Sequence, residues 1–232
     1  MVIGKRFSKV SREPYFWELP NSELIDVLGE SHEPHIILDV GSECGMRSRF
    51  LNEAGHTVIA IDLNLERFLY ENYEGIIGLA GDAQHLPFKE NVFDLVVSIE
   101  LLEHLRYPDK FLKDSFTTLK DQGTLFCTVP CLNIPFFREQ FVWVYRKLIG
   151  YTEDPVFGHK HVFSDKKVQG LIEEDFVMTK IKYQHVLLFL SRAFGVNRQD
   201  VYVITKRFPL FLSRMLAEGV MLVCRKKNDD EG

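Results

Sequence analysis

The sequence is poor in the features that define several large protein classes. It has only 4 cysteines in 232 residues, Cys44, Cys127, Cys131 and Cys224. Cys127 and Cys131 are four apart with no second pair, so no zinc-ligand spacing exists and no metal is expected. Free or buried thiols in a reducing compartment are the expectation. No apolar run reaches the roughly 18 residues of a membrane-spanning helix. The first twenty residues are charged and lack the apolar centre of a signal peptide, so a soluble cytoplasmic protein is expected. Repeats and low-complexity tracts are missing too. What remains is 46% hydrophobic and 26% charged, an ordinary folding composition. At roughly 150 residues per domain, the length predicts one domain.

Charge is divided unevenly. Residues 1–179 carry a net −10, whereas residues 180–227 hold ten Lys/Arg against Asp200 and Glu218, a net +8. The acidic part lacks the clustered cations that a phosphate backbone requires, so no nucleic-acid partner is expected. The basic stretch suits an anionic surface, and weak membrane-surface contact through it is one expectation.

Short β-branched runs alternate with helical patterns. Strands are predicted at His35–Val40, His56–Asp62, Ile76–Gly81, Phe93–Ile99 and Gly123–Val129, with closing strands at Phe176–Leu190 and Gly219–Arg225. Helices are predicted at Gly45–Ala54, closed by Gly55, and at Leu65–Tyr73, Lys110–Lys120, Pro135–Gly150 and Ser164–Glu174, the last opened by a Ser-Asp cap. Such alternation means a doubly wound α/β sheet. Ligands then bind beyond the carboxyl ends of the strands, where strand order reverses.

The residues at those ends are chemically pointed. Gly41 allows a tight turn and Gly45 opens a helix whose first N–H groups face any anion. Asp62 ends the second strand, 21 residues beyond Gly41, where an acid can accept both ribose hydroxyls. Asp82 and Ala83 follow the third strand and pair a carboxylate with a backbone N–H, as an adenine edge needs. Glu100, Glu103 and His104 follow the fourth. A dinucleotide fingerprint would need glycine at positions 43 and 46, where Glu43 and Met46 stand, so NAD is disfavoured.

The runs ILDVGSECG, VIAIDLN, GDAQHLPFKENVFDLVVSIELLEHL and LKDQGTLFCTVP resemble the class I S-adenosylmethionine (SAM) dependent methyltransferases. The likeness is nearest to the branch of ubiquinone/menaquinone C-methyltransferases and related small-molecule and glycan methyltransferases, and covers roughly residues 35–130. The resemblance implies a Rossmann-like seven-stranded sheet, mostly parallel, with its last strand antiparallel. It also implies SAM as cofactor and S-adenosylhomocysteine (SAH) as product. Asp39, Gly41, Ser42 and Gly45 would shape the pocket for the methionine part. Asp62 would hold the ribose, Asp82 and Ala83 the adenine, Ser98, Ile99 and Glu100 would line the sulfonium end, and Leu63 is a further cofactor-binding residue.

Within that frame residues 1–232 form a single methyltransferase domain. Residues 35–130 are the cofactor core, 131–163 a variable substrate lid, and 164–227 a C-terminal helix and closing strands. The lid carries Phe136, Phe137, Phe141, Trp143, Tyr145 and Arg146. Methyl transfer to a small-molecule, glycan or lipid-linked acceptor is expected by in-line displacement, with His104, Glu103, His159 and His161 as candidate bases for a hydroxyl acceptor. Glu43 stands where the family usually has glycine. It motivates the alternative of a non-catalytic relative that keeps the fold as a binding scaffold.

Overall fold

A computed structural model describes residues 23–29, 33–66, 74–131, 160–161, 163–184, 207–217 and 219–228. Its centre is a seven-stranded sheet of β1 (Ile36–Val40), β2 (Thr57–Asp62), β3 (Ile76–Ala80), β4 (Phe93–Ile99), β5 (Leu119–Pro130), β6 (Phe176–Gln184) and β7 (Gly219–Lys226). The spatial order is β3-β2-β1-β4-β5-β7-β6. β1 to β5 pair in parallel, while β7 runs antiparallel to both β5 and β6. The described helices are α1 (residues 23–28), α2 (Met46–Glu53), α3 (Pro108–Thr118), α4 (Asp165–Ile172) and α5 (Leu210–Leu216).

The strands are apolar on both faces because helices cover both faces. Alternate residues of a strand point to opposite sides, and the core divides accordingly. Leu38 of β1, Leu125 and Cys127 of β5, and Leu222 and Cys224 of β7 share one cluster with Phe111 and Leu112 of α3 and Val168 and Ile172 of α4. Their strand neighbours Ile37, Phe126, Met221 and Val223 join Leu24 and Leu28 of α1 and Leu51 of α2 in the other. Three layers result, helix over sheet over helix.

Local signals were mostly obeyed. Gly55 follows α2 at φ +99, and Ser164 caps α4 by accepting the Lys167 N–H at 3.3 Å. One boundary moved. The helix expected at Lys110–Lys120 runs instead over Pro108–Thr118, because proline suits a first helical turn and Leu119 is taken by the sheet, opposite Phe93. The pairing then jumps to Leu95 opposite Thr124, so β5 starts earlier than its apolar run suggests. β6 is described to Gln184, and the expected continuation to Leu190 lies outside the described residues. So does the helix expected over Pro135–Gly150, and all but the first residues of the Leu65–Tyr73 helix.

The topology places the site. From β1 the chain moves one way across the sheet to β2 and β3, and from β4 it moves the other way to β5. β1 and β4 are neighbours, with Val40 opposite Ser98, so the switch in direction opens a crevice beyond their carboxyl ends.

Candidate active site

The loop after β1 alternates in hand. Gly41, Glu43 and Gly45 have φ of +72, +50 and +74. This loop is pinned from below and from the side. The Gly41 N–H donates to the Ile61 carbonyl at 2.9 Å, and the Glu43 N–H donates to Asp62 Oδ2 at 3.0 Å. A side chain at Gly41 would place its Cβ 3.0 Å from Leu101 Cδ1 and in a left-handed backbone, so the position requires glycine. No side chain caps α2, which leaves its first N–H groups pointing into the crevice.

Asp39 lies beneath this loop at 1% exposure, and its Oδ2 accepts the Ser48 hydroxyl at 2.6 Å. Burial pushes its carboxyl up, and the Arg47 guanidinium and the Ser48 hydrogen bond oppose that. Asp62 accepts two backbone N–H groups, from Glu43 and from Asn64 at 2.9 Å. A carboxylate has about four acceptor positions, so roughly two remain. Leu63 beside it is 76% exposed.

The loop after β3 is built around Asp82. Its Oδ1 accepts the backbone N–H of Gln84 at 2.9 Å, which is the first reason its carboxyl sits below the ordinary value. Gln84 in turn accepts the Tyr107 N–H at 2.8 Å, tying this loop to the turn after β4. Ala83 is buried at its base.

At the end of β4, Ser98 is fully buried with its hydroxyl unpartnered among the described residues, and Ile99 is half-buried. Glu100 then takes φ +51. Its carboxyl accepts the Thr128 hydroxyl at 2.9 Å and its N–H donates to the Thr128 carbonyl at 3.0 Å, so β5 holds the strained residue in place. Burial raises this carboxyl too, against Thr128 and Arg47. The turn Leu102–His104 follows, with Glu103 only 1% exposed and both its carboxyl oxygens without a hydrogen bond among the described residues. Burial first, and the Glu100 charge second, push it up to about 8.

A family model described as a methyltransferase domain matches residues 38–127, the stretch that carries this crevice. Over that stretch the chain is similar to methyltransferases. It is 29% identical over 139 residues to the uncharacterized protein MJ0638 of Methanocaldococcus jannaschii, covering 59% of this chain and 60% of that one. It is 28% identical over 127 residues to demethylmenaquinone methyltransferase of Thermobifida fusca, 52% of each chain. In fold it is similar to 1,6-didemethyltoxoflavin-N1-methyltransferase of Burkholderia thailandensis, solved with SAH bound, at TM-score 0.59 and 16% identity over 90% of this chain and 77% of that one. The chain spans between 27% and 60% of the length of the curated relatives it matches.

All eleven residues expected from sequence to meet the cofactor, Asp39 and Ser98 among them, lie at or just beyond the carboxyl ends of β1 to β4. Of the candidate bases, the structure gathers two histidines around Glu103. His104 Nε2 lies 3.7 Å from Glu103 Oε1. The N–H groups of Lys160 and His161 donate to the Glu103 carbonyl at 2.7 and 3.1 Å, and the buried His161 Nε2 has no hydrogen bond among the described residues. His159 lies outside the described residues. Among those described, no three His, Cys, Asp or Glu side chains form a cation-binding group.

Sequence reasoning missed Arg47, Ser48 and Thr128. Arg47 faces both Asp39 and Glu100, one cation between two buried acids. Its one visible signal was a charged residue in the first turn of a helix that opens onto a ligand crevice.

Proposed function

We propose that this methyltransferase moves the methyl group of SAM to a small-molecule, glycan or lipid-linked acceptor. The observation that carries the reading is the convergence at one switch point of the left-handed β1 loop, Asp62, Asp82 and Glu100, each at the end of a successive strand of the sheet's parallel part. The fit is good on chemistry as well. The crevice offers an uncapped helix start for a carboxylate, a part-satisfied Asp62 for ribose hydroxyls, and the Asp82–Ala83 turn for an adenine edge, with Leu63 exposed after Asp62. Bound there, SAM supplies an electrophilic methyl on a sulfonium.

The chain's own residues do the rest. Gly41 and Gly45 let the loop backbone approach the methionine part, with Ser42 beneath, while Asp39 stiffens the loop through Ser48. Asp62 orients the ribose, and Asp82 with the Ala83 N–H fixes the adenine. Ser98, Ile99 and Glu100 wall the sulfonium end. The segment over 131–163 supplies the acceptor lid, and its close at Lys160 and His161 is docked on Glu103. His104 and His161 are the bases proposed for a hydroxyl acceptor, with His159 a third candidate.

Glu43 supports catalysis over the scaffold alternative. Its backbone adopts the left-handed turn a glycine would, and its N–H engages Asp62. Contact with a membrane surface fits a lipid-linked acceptor. Leu210 and Phe211 on α5 are 67% and 71% exposed, in the stretch of net positive charge. The Thermobifida relative, named for demethylmenaquinone, has an acceptor of that class.

Isothermal titration of the full chain with SAM and SAH tests the reading. Micromolar binding that Asp62→Ala weakens by at least ~100-fold is expected, since two charge-assisted hydrogen bonds are worth about 3 kcal/mol or more. A folded chain that binds neither compound refutes it.

A further inference from the structure

A buried carboxyl with no hydrogen bond is expensive, and the neighbouring acids each avoid that state. Asp39 has the Ser48 hydroxyl and Glu100 has the Thr128 hydroxyl. Glu103 has neither, although it is as deeply buried as Asp39. Its place in the fold is secured through its backbone carbonyl, which takes the Lys160 and His161 N–H groups. Among the described residues no hydrogen bond ties the side chain itself. An orphaned group of this kind, buried on the turn that follows β4 beside the crevice, calls for a partner that completes it.

The groups facing it define what is missing. Glu100, from the same β4 connection, and Cys127, from β5, both sense or exert negative charge here. His104 lies 3.7 Å away on the same turn, and the segment after the lid brings His161. From α2, Arg47 faces Asp39 and Glu100. Arg47 thus answers two of the three buried carboxyls, Asp39 and Glu100, and among the described residues leaves Glu103 facing only His104. A further fixed positive charge is the natural complement.

We propose that Glu103 makes this site select its cofactor by the charge on sulfur, holding a sulfonium more tightly than the corresponding thioether and giving up a proton when the sulfonium binds. The inference rests on the reading that the crevice takes SAM. Without ligand, burial keeps Glu103 protonated through neutral pH. A sulfonium favours its ionised form, so SAM binding near pH ~7 releases a proton, and SAM affinity rises with pH until the carboxyl is ionised unaided. The thioether of SAH has no such charge, so its affinity stays level.

The bookkeeping of the reaction closes on the same residue. Transfer to a hydroxyl or amine breaks the sulfur–methyl bond, forms the new oxygen– or nitrogen–methyl bond, and frees one proton. The sulfonium turns neutral as that proton appears, and Glu103 takes a proton back in the product complex. The net charge of the pocket is then the same before and after, and the product has lost its electrostatic hold.

Calorimetry on the full chain reads this without an acceptor. SAM and SAH are titrated from pH ~6 to ~8.5, each in two buffers of contrasting ionisation enthalpy. Near pH ~7 the wild type should release close to one more proton with SAM than with SAH. The SAM-to-SAH affinity ratio should climb by about tenfold or more across the range, since each pH unit by which the sulfonium lowers the Glu103 midpoint is worth tenfold. In Glu103→Gln both compounds should still bind, with the extra release gone and the ratio level. Equal proton counts for SAM and SAH in the wild type overturn the proposal even if no variant folds. So does an extra release that persists in Glu103→Gln. Loss of binding by both compounds in the folded wild type instead overturns the cofactor reading, so the two failures are distinct.

Discussion

Replacing Glu103 by glutamine should make the protein more stable, and increasingly so as pH rises. The carboxyl titrates near 4.5 when exposed in the unfolded chain and is pushed up to about 8 in the fold, chiefly by burial. Between those values the native state binds more protons than the unfolded state, so stability falls with rising pH. The loss is absent below about pH 4.5 and complete above about pH 8. One proton corresponds to ~1.4 kcal/mol per pH unit, and the whole interval gives a ceiling of ~5 kcal/mol. Glutamine keeps the shape and cannot ionise. The turn should survive, because the Lys160 and His161 N–H groups hold the backbone carbonyl, not the side chain. Urea unfolding of wild type and Glu103→Gln at several pH values isolates the residue together with its coupling to Glu100, since Asp39 contributes equally to both proteins. The stability difference should widen by roughly 1 kcal/mol per pH unit between pH ~5 and ~8. Parallel stability profiles would refute the assignment of a buried, titrating carboxyl with no hydrogen bond among the described residues.

Glu43→Gly relieves a left-handed backbone that costs about 1–2 kcal/mol, against about 0.5–1 kcal/mol of added unfolded-state entropy. The urea midpoint should rise slightly and SAM affinity should hold within about threefold; a clear loss of stability would show that the Glu43 side chain, not its backbone, holds the loop. For α5, sedimentation with vesicles containing anionic lipid should carry down the wild type, and Leu210→Ser with Phe211→Ser should cut the bound fraction several-fold. Recovery of all wild-type protein in the supernatant would remove the membrane-surface contact.

The parallel half of the fold was written plainly in the chain. HIILDV, HTVIAID and FDLVVSI are runs that only a strand covered on both faces would bury, and each ends at the crevice. The antiparallel β7 came from family resemblance, because nothing local in GVMLVCRK encodes its direction or its place between β5 and β6. The helix at Pro108–Thr118 was displaced by two residues because Leu119 is claimed by Phe93, a partner distant in sequence. The same limit hid the polar network. Ser48 meets Asp39 from one turn inside α2, Thr128 meets Glu100 across 28 residues, and Arg47 answers to both acids at once. Strand ends announce a ligand site through composition, whereas the side chains that tune its charge are chosen by contacts that only folding creates.

The insertion of β7 between β5 and β6 also orders events during synthesis. β6 is made first but has no described strand partner except β7, and β5 ends the parallel part with a bare edge until β7 arrives. From Gln184 to Gly219 a ribosome working at about 5–20 residues per second takes roughly 2–7 s. Throughout that interval the nascent sheet carries an open strand beside a hydrophobic face that will later hold Leu222 and Cys224. The cofactor crevice between β1 and β4 can already be outlined on the emerging chain, while the far side of the sheet waits. The sheet is thus completed in one late window of translation, like a zip drawn from the C-terminal side.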